Sequence, residues 1–123
     1  TSQTCDVGVG TFTLAYWVRD QRAMSIETAV RKLSFDQALA WGIPQRGLVL
    51  TGWKADLNVI DLAGLDLELA EMRHDLPGGA PNLSQRAKGY TATIVNGTVF
   101  MRAGQHTGVF AGKVLRNEVA AAL

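Results

Sequence analysis

Apolar residues recur at helical spacing through the first third of the chain, and alternation with turn dipeptides takes over after Pro44. The pattern predicts a first helix over residues 11–21, where Phe12, Leu14, Ala15, Tyr16, Trp17 and Val18 make it apolar almost all round. Such a helix is expected to be buried between other layers. A second helix follows Ser25, a suitable N-cap, with Glu27 favourably placed in the first turn. Ile26, Ala29, Val30 and Leu33 fall at i, i+3, i+4 and i+7 and form one stripe. A third, short helix starts at Ser34, which has capping-box spacing to Gln37. It is expected to bury Phe35, Ala38 and Leu39, and Gly42 followed by Pro44 stops it.

From Gln45 onward the pattern is β. Residues 48–50 and 55–60 read as strands joined by Thr51-Gly52, with Leu57 and Val59 on one face and Asp56 and Asn58 on the other. Leu65, Leu67 and Leu69 alternate with Asp66, Glu68 and Ala70, another strand signal, although a short helix stays open there. The Pro77-Gly78-Gly79-Ala80-Pro81 run interrupts regular structure. Residues 91–95 and 98–102 flank Asn96-Gly97, the dipeptide that best tolerates the positive φ values of a two-residue hairpin turn. Ala103-Gly104 and the stretch 108–112 read as turns, 114–115 as a last short strand, and 120–123 as a frayed end. The fold class expected is α+β: N-terminal helices followed by a small sheet.

The 123 residues suit one domain or a piece of a larger one, and 47% hydrophobic with 19% charged residues suits a packed core. A formal net charge of +1 points to neither nucleic acid nor an anionic membrane as partner. No apolar run approaches the ~20 residues of a membrane-spanning helix. A single cysteine, Cys5, forms no intrachain disulfide, which makes the cytoplasm the expected location. No basic-then-apolar signal peptide opens the chain, and its start at Thr1 rather than Met gives the expectation that something upstream is missing.

Few residues offer chemistry. His74, followed by Asp75 as a group to orient an imidazole, is a weak candidate beside the plainer reading of a surface histidine. His106, in a Gly-rich turn region, is weaker still. Cys5 with Asp6 is a thiol without a positioned histidine in view. Gly8-Val9-Gly10 before a helix lacks the third glycine and the Lys-Ser/Thr of a phosphate loop. Asp56, Asp61, Asp66, Glu68, Glu71 and Asp75 match no calcium loop and read as a solvated face. Trp17, Trp41 and Trp53 read as core anchors, since no basic residues interleave with them.

A longer pattern goes beyond composition. From Ser25 the chain reads S-I-E-T-A-V-R-K-L-S-F-D-Q-A-L-A-W-G-I-P-Q-R-G-L-V-L-T-G-W-K-A-D-L-N-V-I-D-L. This resembles the closing segment of the metal-dependent amidohydrolases, in Arg46-Gly47, Gly52, Ala55-Asp56-Leu57 and Asp61. H-D-L-P-G-G from His74, Q-R-A-K-G-Y from Gln85, T-I-V-N-G-T-V from Thr93 and the T-G-x-x-x-G-x-x-L-R ending at Arg116 are similar to one branch of it, the N-acyl-D-amino-acid deacylases or D-aminoacylases. The resemblance covers nearly the whole chain.

The resemblance implies a parent enzyme whose catalytic domain is a TIM-like barrel and whose small β-sandwich is completed by the segment after the barrel. Residues 1–44 then correspond to helices closing the barrel, 45–117 to the C-terminal share of the small β domain, and 118–123 to a tail. The parent is implied to hydrolyse an amide C–N bond with one or two divalent metals, zinc by expectation. The family's His-x-His and its other metal ligands have no counterpart here, so no catalytic residue, no metal ligand and no cofactor are expected in this chain. Thr4, Cys5 and Asp6 map near the rim of the parent's active site. The implied partner is the rest of the barrel, or a second copy meeting an exposed helix and strand edge. The alternative is an independent, non-catalytic β-rich interaction module that works by edge-strand pairing.

Overall fold

The computed structural model describes residues 7–115. Thr4, Cys5, Asp6, Arg116 and the expected tail at 118–123 lie outside them. Helix α1 (Val9–Phe12) runs directly into a π-helical stretch, Thr13–Asp20, where the Gln21 amide donates to the Tyr16 carbonyl at 2.8 Å. The helix starts at Val9 rather than residue 11. It is covered on one side only: Leu14, Ala15 and Val18 are buried, whereas Phe12 and Trp17 are each 43% exposed. The layers that so apolar a helix calls for are thus present on one side only. No layer covers the outer side among the described residues, and the aromatics pack on each other instead. Phe12 stacks on Tyr16 at 4.9 Å, and Trp17 meets Tyr16 edge-on at 5.0 Å.

Helix α2 (Ile26–Leu33) is capped as its sequence requires, with Ser25 Oγ accepting from the Thr28 amide at 3.3 Å. The Glu27 carboxyl is held below its usual range by its own backbone amide and then by the Ser25 hydroxyl. Of the apolar stripe only Ala29 is buried; Ile26, Val30 and Leu33 stay exposed. Ser34 does not form the predicted capping box. Its hydroxyl donates to the Val30 carbonyl at 2.6 Å and to Gly47 O at 3.1 Å, while the Gln37 amide donates to Lys32 O. Helix α3 (Phe35–Ala40) buries Ala38 but leaves Leu39 69% exposed, another correction. Its end is a Schellman motif: Gly42, at φ 64°, donates to Leu39 O and Ile43 to Ala38 O.

Among the described residues eight short strands follow, and every pairing among them is antiparallel: β1 (Leu57–Ile60), β2 (Asp66–Leu67), β3 (Glu71–Arg73), β4 (Asn82–Ser84), β5 (Ala87–Lys88), β6 (Tyr90–Val95), β7 (Thr98–Arg102) and β8 (Gln105–His106). One sheet has the order β1-β6-β7-β8, and β2-β5 and β3-β4 form two ribbons. β1 is an edge strand among the described residues, and on the face shared by Leu57 and Val59 the first is half-buried and the second exposed. Helices and antiparallel strands together make the chain α+β, as expected.

Two predicted strands are absent. Residues 48–50 lie between turns at Gly47 and Gly52, both at positive φ, and Leu50 O accepts from the Trp53 amide. Residues 114–115 pair with no described strand, and both side chains are exposed. Alternating side chains alone do not make a strand; a hydrogen-bonding neighbour does. The Pro77–Gly79 stretch is a turn rather than a regular element: Gly78 stands at φ 73° and ψ 14°, outside helical values, and the Gly79 amide donates to Leu76 O at 3.0 Å.

The Asn96-Gly97 hairpin is present. Val95 faces Thr98 across the turn, and Asn96 and Gly97 have φ 48° and 78°. Gly97→Val places a β-branched side chain at that positive φ, and a loss of about 1–3 kcal/mol is expected. An unchanged denaturation midpoint would contradict the turn assignment.

The buried cluster draws on both halves of the chain. Leu14, Ala15, Val18, Ala29 and Leu65 form it, with Met24, Ile60, Leu62 and Tyr90 packed against it. Thr11, only 7% exposed, shares a 2.8 Å hydrogen bond with the Tyr90 hydroxyl and ties the first helix to β6. Arg19 adds a second tie, donating to the carbonyls of Leu62, Ala63 and Leu65. Asp20 beside it raises the Arg19 pKa, and Asp20's own falls through the same hydrogen bond.

Candidate functional site

Each of the two histidines is engaged by local contacts. His74 is exposed, and its Nδ1 lies 3.2 Å from the Gly79 carbonyl, at the Pro-Gly-Gly turn. Asp75 does not orient it, because the Asp75 carboxylate accepts from the Asn82 side chain at 3.3 Å. His106 Nδ1 accepts the Gly108 amide at 2.8 Å. Its ring lies edge-on to Phe100 at 4.6 Å and 4.8 Å from Phe110. Thr4, Cys5 and Asp6 lie outside the described residues.

The acidic residues are engaged one by one. Asp61 accepts the Ala63 amide at 3.1 Å, Asp66 the Leu67 amide at 2.9 Å, Glu68 pairs with Lys88 at 3.3 Å, and Glu71 pairs with Arg73. Among the described residues no group of three or more His, Cys, Asp or Glu side chains is placed to hold a metal ion. These residues therefore do not fit the metal that the resemblance implies for a parent enzyme.

An open cleft of about 960 Å³ lies against β5 and β6. Arg73, Arg86, Lys88, Asp61, Glu68 and Tyr90 contribute to its wall, and neither histidine does. Its charges are mixed in sign, and Lys88 and Glu68 pair with each other, so the wall presents no single field to a ligand.

The residues that carry the family-like pattern meet instead in structural joints. Arg46 forms an ion pair with Asp56, and Asp56 Oδ1 accepts the Asn96 backbone amide at 2.8 Å. The Asn96 side chain accepts from Arg46 at 3.4 Å and donates to Ala111 O at 2.8 Å, and the Gly97 amide donates to Ala55 O. Thus Arg46, Ala55-Asp56 and Asn96-Gly97, read separately in the sequence, form one clasp around the hairpin tip. Gly47, at φ 86°, lies against α3: an added Cβ would sit 2.7 Å from Phe35 Cα. Thr107 Oγ1 donates to the carbonyls of Val99 and Phe100.

Several of these contacts left no signal in the sequence. Arg46 and Asn96 are 50 positions apart, and Thr11 and Tyr90 are 79 apart. Gly8 is no phosphate loop: a Cβ there would lie 2.8 Å from Gln85 Oε1 and 2.9 Å from Leu67 Cδ1, so the glycine serves close packing. The core-anchor reading of the tryptophans fails for Trp41, which is 75% exposed, and for the half-covered Trp17. No helix among the described residues is long and apolar enough to cross a membrane.

No family model matches the chain. Two curated proteins of Alcaligenes xylosoxydans xylosoxydans are similar to it. A D-aminoacylase is 33% identical over 113 residues, which is 90% of this chain and 22% of that protein. An N-acyl-D-aspartate deacylase is 43% identical over 58 residues, 46% of this chain and 12% of that protein. Among solved structures, a D-aminoacylase described as defining a novel subset of amidohydrolases matches with a TM-score of 0.70 at 29% identity. A second D-aminoacylase structure, concerned with the role of its binuclear metal centre, matches at 0.72 and 30%. Each match covers 88% of this chain and 21% of that chain. The chain thus spans about a fifth of the D-aminoacylases it matches. Sequence and fold together make this chain a relative of the D-aminoacylases, resembling a C-terminal portion of these metal-dependent amidohydrolases.

Proposed function

We propose that the chain is the C-terminal portion of an N-acyl-D-amino-acid deacylase or close relative, where it supplies structure rather than chemistry. One observation carries this reading: similarity that runs through 90% of this chain takes in only 22% of the D-aminoacylase. The parent would hydrolyse an amide C–N bond, releasing a D-amino acid and a carboxylate. One or two divalent metals, zinc by preference, would supply an activated water there, held by residues of the barrel. Residues 1–44 would close that TIM-like barrel, residues 45–117 would complete a small β-sandwich, and 118–123 would form a tail.

The chain's own surfaces support this role. The motif residues are spent on turns and joints. Phe12, Tyr16 and Trp17 line the uncovered side of the first helix, and β1 offers a free edge. The rest of the parent barrel is the partner proposed for these surfaces, with self-association where that barrel is missing. The single cysteine favours a cytoplasmic location.

The reading is tested by assaying the purified chain with added zinc against N-acetyl-D-methionine and N-acetyl-D-glutamate. No turnover is expected. Metal-dependent turnover that co-purifies with the chain would overturn the structural role.

A further inference from the structure

The hairpin tip joins two properties that the proposed function does not use: an Asn-Gly bond and a clasp that immobilises both of its reacting groups. In an unfolded chain Asn-Gly is chemically labile, because glycine has no side chain to hinder attack by its amide nitrogen on the neighbouring side-chain carbonyl. The other described Asn residues, Asn58 and Asn82, precede Val59 and Leu83, whose bulk hinders the same attack.

The fold restrains every participant at residues 96 and 97. The nucleophile, the Gly97 nitrogen, donates its hydrogen to Ala55 O at 2.9 Å. The leaving group, Asn96 Nδ2, donates to Ala111 O at 2.8 Å, and Oδ1 accepts from Arg46. The Asn96 backbone amide is held by Asp56. Attack requires the Gly97 N–H to be released and the Asn96 side chain to swing away from Ala111.

We propose that Asn96 is a deamidation site gated by opening of the Arg46–Asp56–Asn96 clasp. Once the clasp opens, base removes the Gly97 amide proton and the nitrogen attacks Asn96 Cγ. The Cγ–Nδ2 bond breaks, ammonia leaves with a proton, and a five-membered imide remains. Water then opens the imide at either carbonyl, giving aspartate or an isoaspartyl linkage. No oxidant or reductant takes part.

Neither product restores the clasp. Aspartate has lost the Nδ2 donor to Ala111 O and brings a second carboxylate beside Asp56. The isoaspartyl product adds a methylene to the main chain inside a two-residue turn, where Val95 must face Thr98. Each opening that reacts is therefore recorded irreversibly.

The test incubates the full chain at mildly alkaline pH in native buffer and in concentrated urea. Peptide mapping by mass spectrometry follows residue 96, and hydrogen exchange follows the Gly97 amide in the same native buffer. The expected result is rapid loss of Asn96 in urea and slow loss in native buffer. The slowing should match the protection factor of the Gly97 amide, since both reactions draw on the same open state. Asn58 and Asn82 should stay intact in both. Equal rates in the two buffers, an unprotected Gly97 amide in the native chain, or no deamidation in urea would each overturn the proposal.

Discussion

Gly89→Ala is expected to cost roughly 2–6 kcal/mol, adding about 1–3 for a side chain at positive φ to about 1–3 for overpacking. Gly89 has φ 88°, and an added Cβ would sit 2.6 Å from Leu65 Cα, 2.8 Å from Leu65 N and 3.0 Å from Asp61 O. All three neighbours are main-chain atoms, so no rotamer change relieves the contact. The Gly89 carbonyl also accepts the Asp61 amide at 2.8 Å, so a shift of residue 89 breaks that bond as well. A small domain has only about 5–15 kcal/mol to lose. A urea midpoint within error of the parent sequence would show that the segment holding Leu65 is not seated on Gly89.

Leu65→Ala is expected to be of similar size, about 2–5 kcal/mol. Leu65 is fully buried and is the largest such side chain among the described residues. It packs in the cluster where Leu14, Ala15 and Val18 meet Ala29. Few other apolar side chains are buried, so a cavity there removes a large share of the core. Leu65→Met, which keeps the volume, should cost less than about 1.5 kcal/mol. The check is the denaturation midpoint at unchanged slope. Equal effects of alanine and methionine would mean that the loss does not come from a cavity.

The features legible in the sequence were those decided within a few residues. Ser25 caps α2 because its acceptor and the Thr28 amide lie one helical turn apart. Asn96-Gly97 turns the chain because those residues accept positive φ wherever they stand. Residues 48–50 and 114–115 had the same apolar character as true strands, and the fold left them unpaired. Periodicity reports a face, not the neighbour that must bond to it. Leu39 and Trp41 were read as buried for the same reason: their apolar character says what they prefer, not what lies opposite.

Of the candidate site, Asn96-Gly97 was legible as a hairpin turn, and Arg46 and Asp56 only through the resemblance. The pattern picked out Arg46, Asp56, Asn96 and Gly97, but neither composition nor spacing brought the ion pair and the hairpin tip together. Asp56 and Asn96 are 40 positions apart and meet because β1 lies beside β6. His74 and Asp75 show the opposite case: adjacent in sequence, they turn to different partners, Gly79 and Asn82. Both lie just past the end of β3, outside any regular element, where local turns rather than adjacency decide each side chain's partner.

The most direct test of the chain's proposed place in a longer enzyme is the coding sequence immediately upstream of the Thr1 codon in its native gene. An open frame running into Thr1 that encodes a TIM-like barrel with His-x-His after its first strand is expected. A start codon just before Thr1, with no such barrel in frame, would contradict it and leave an independent β-rich module in its place.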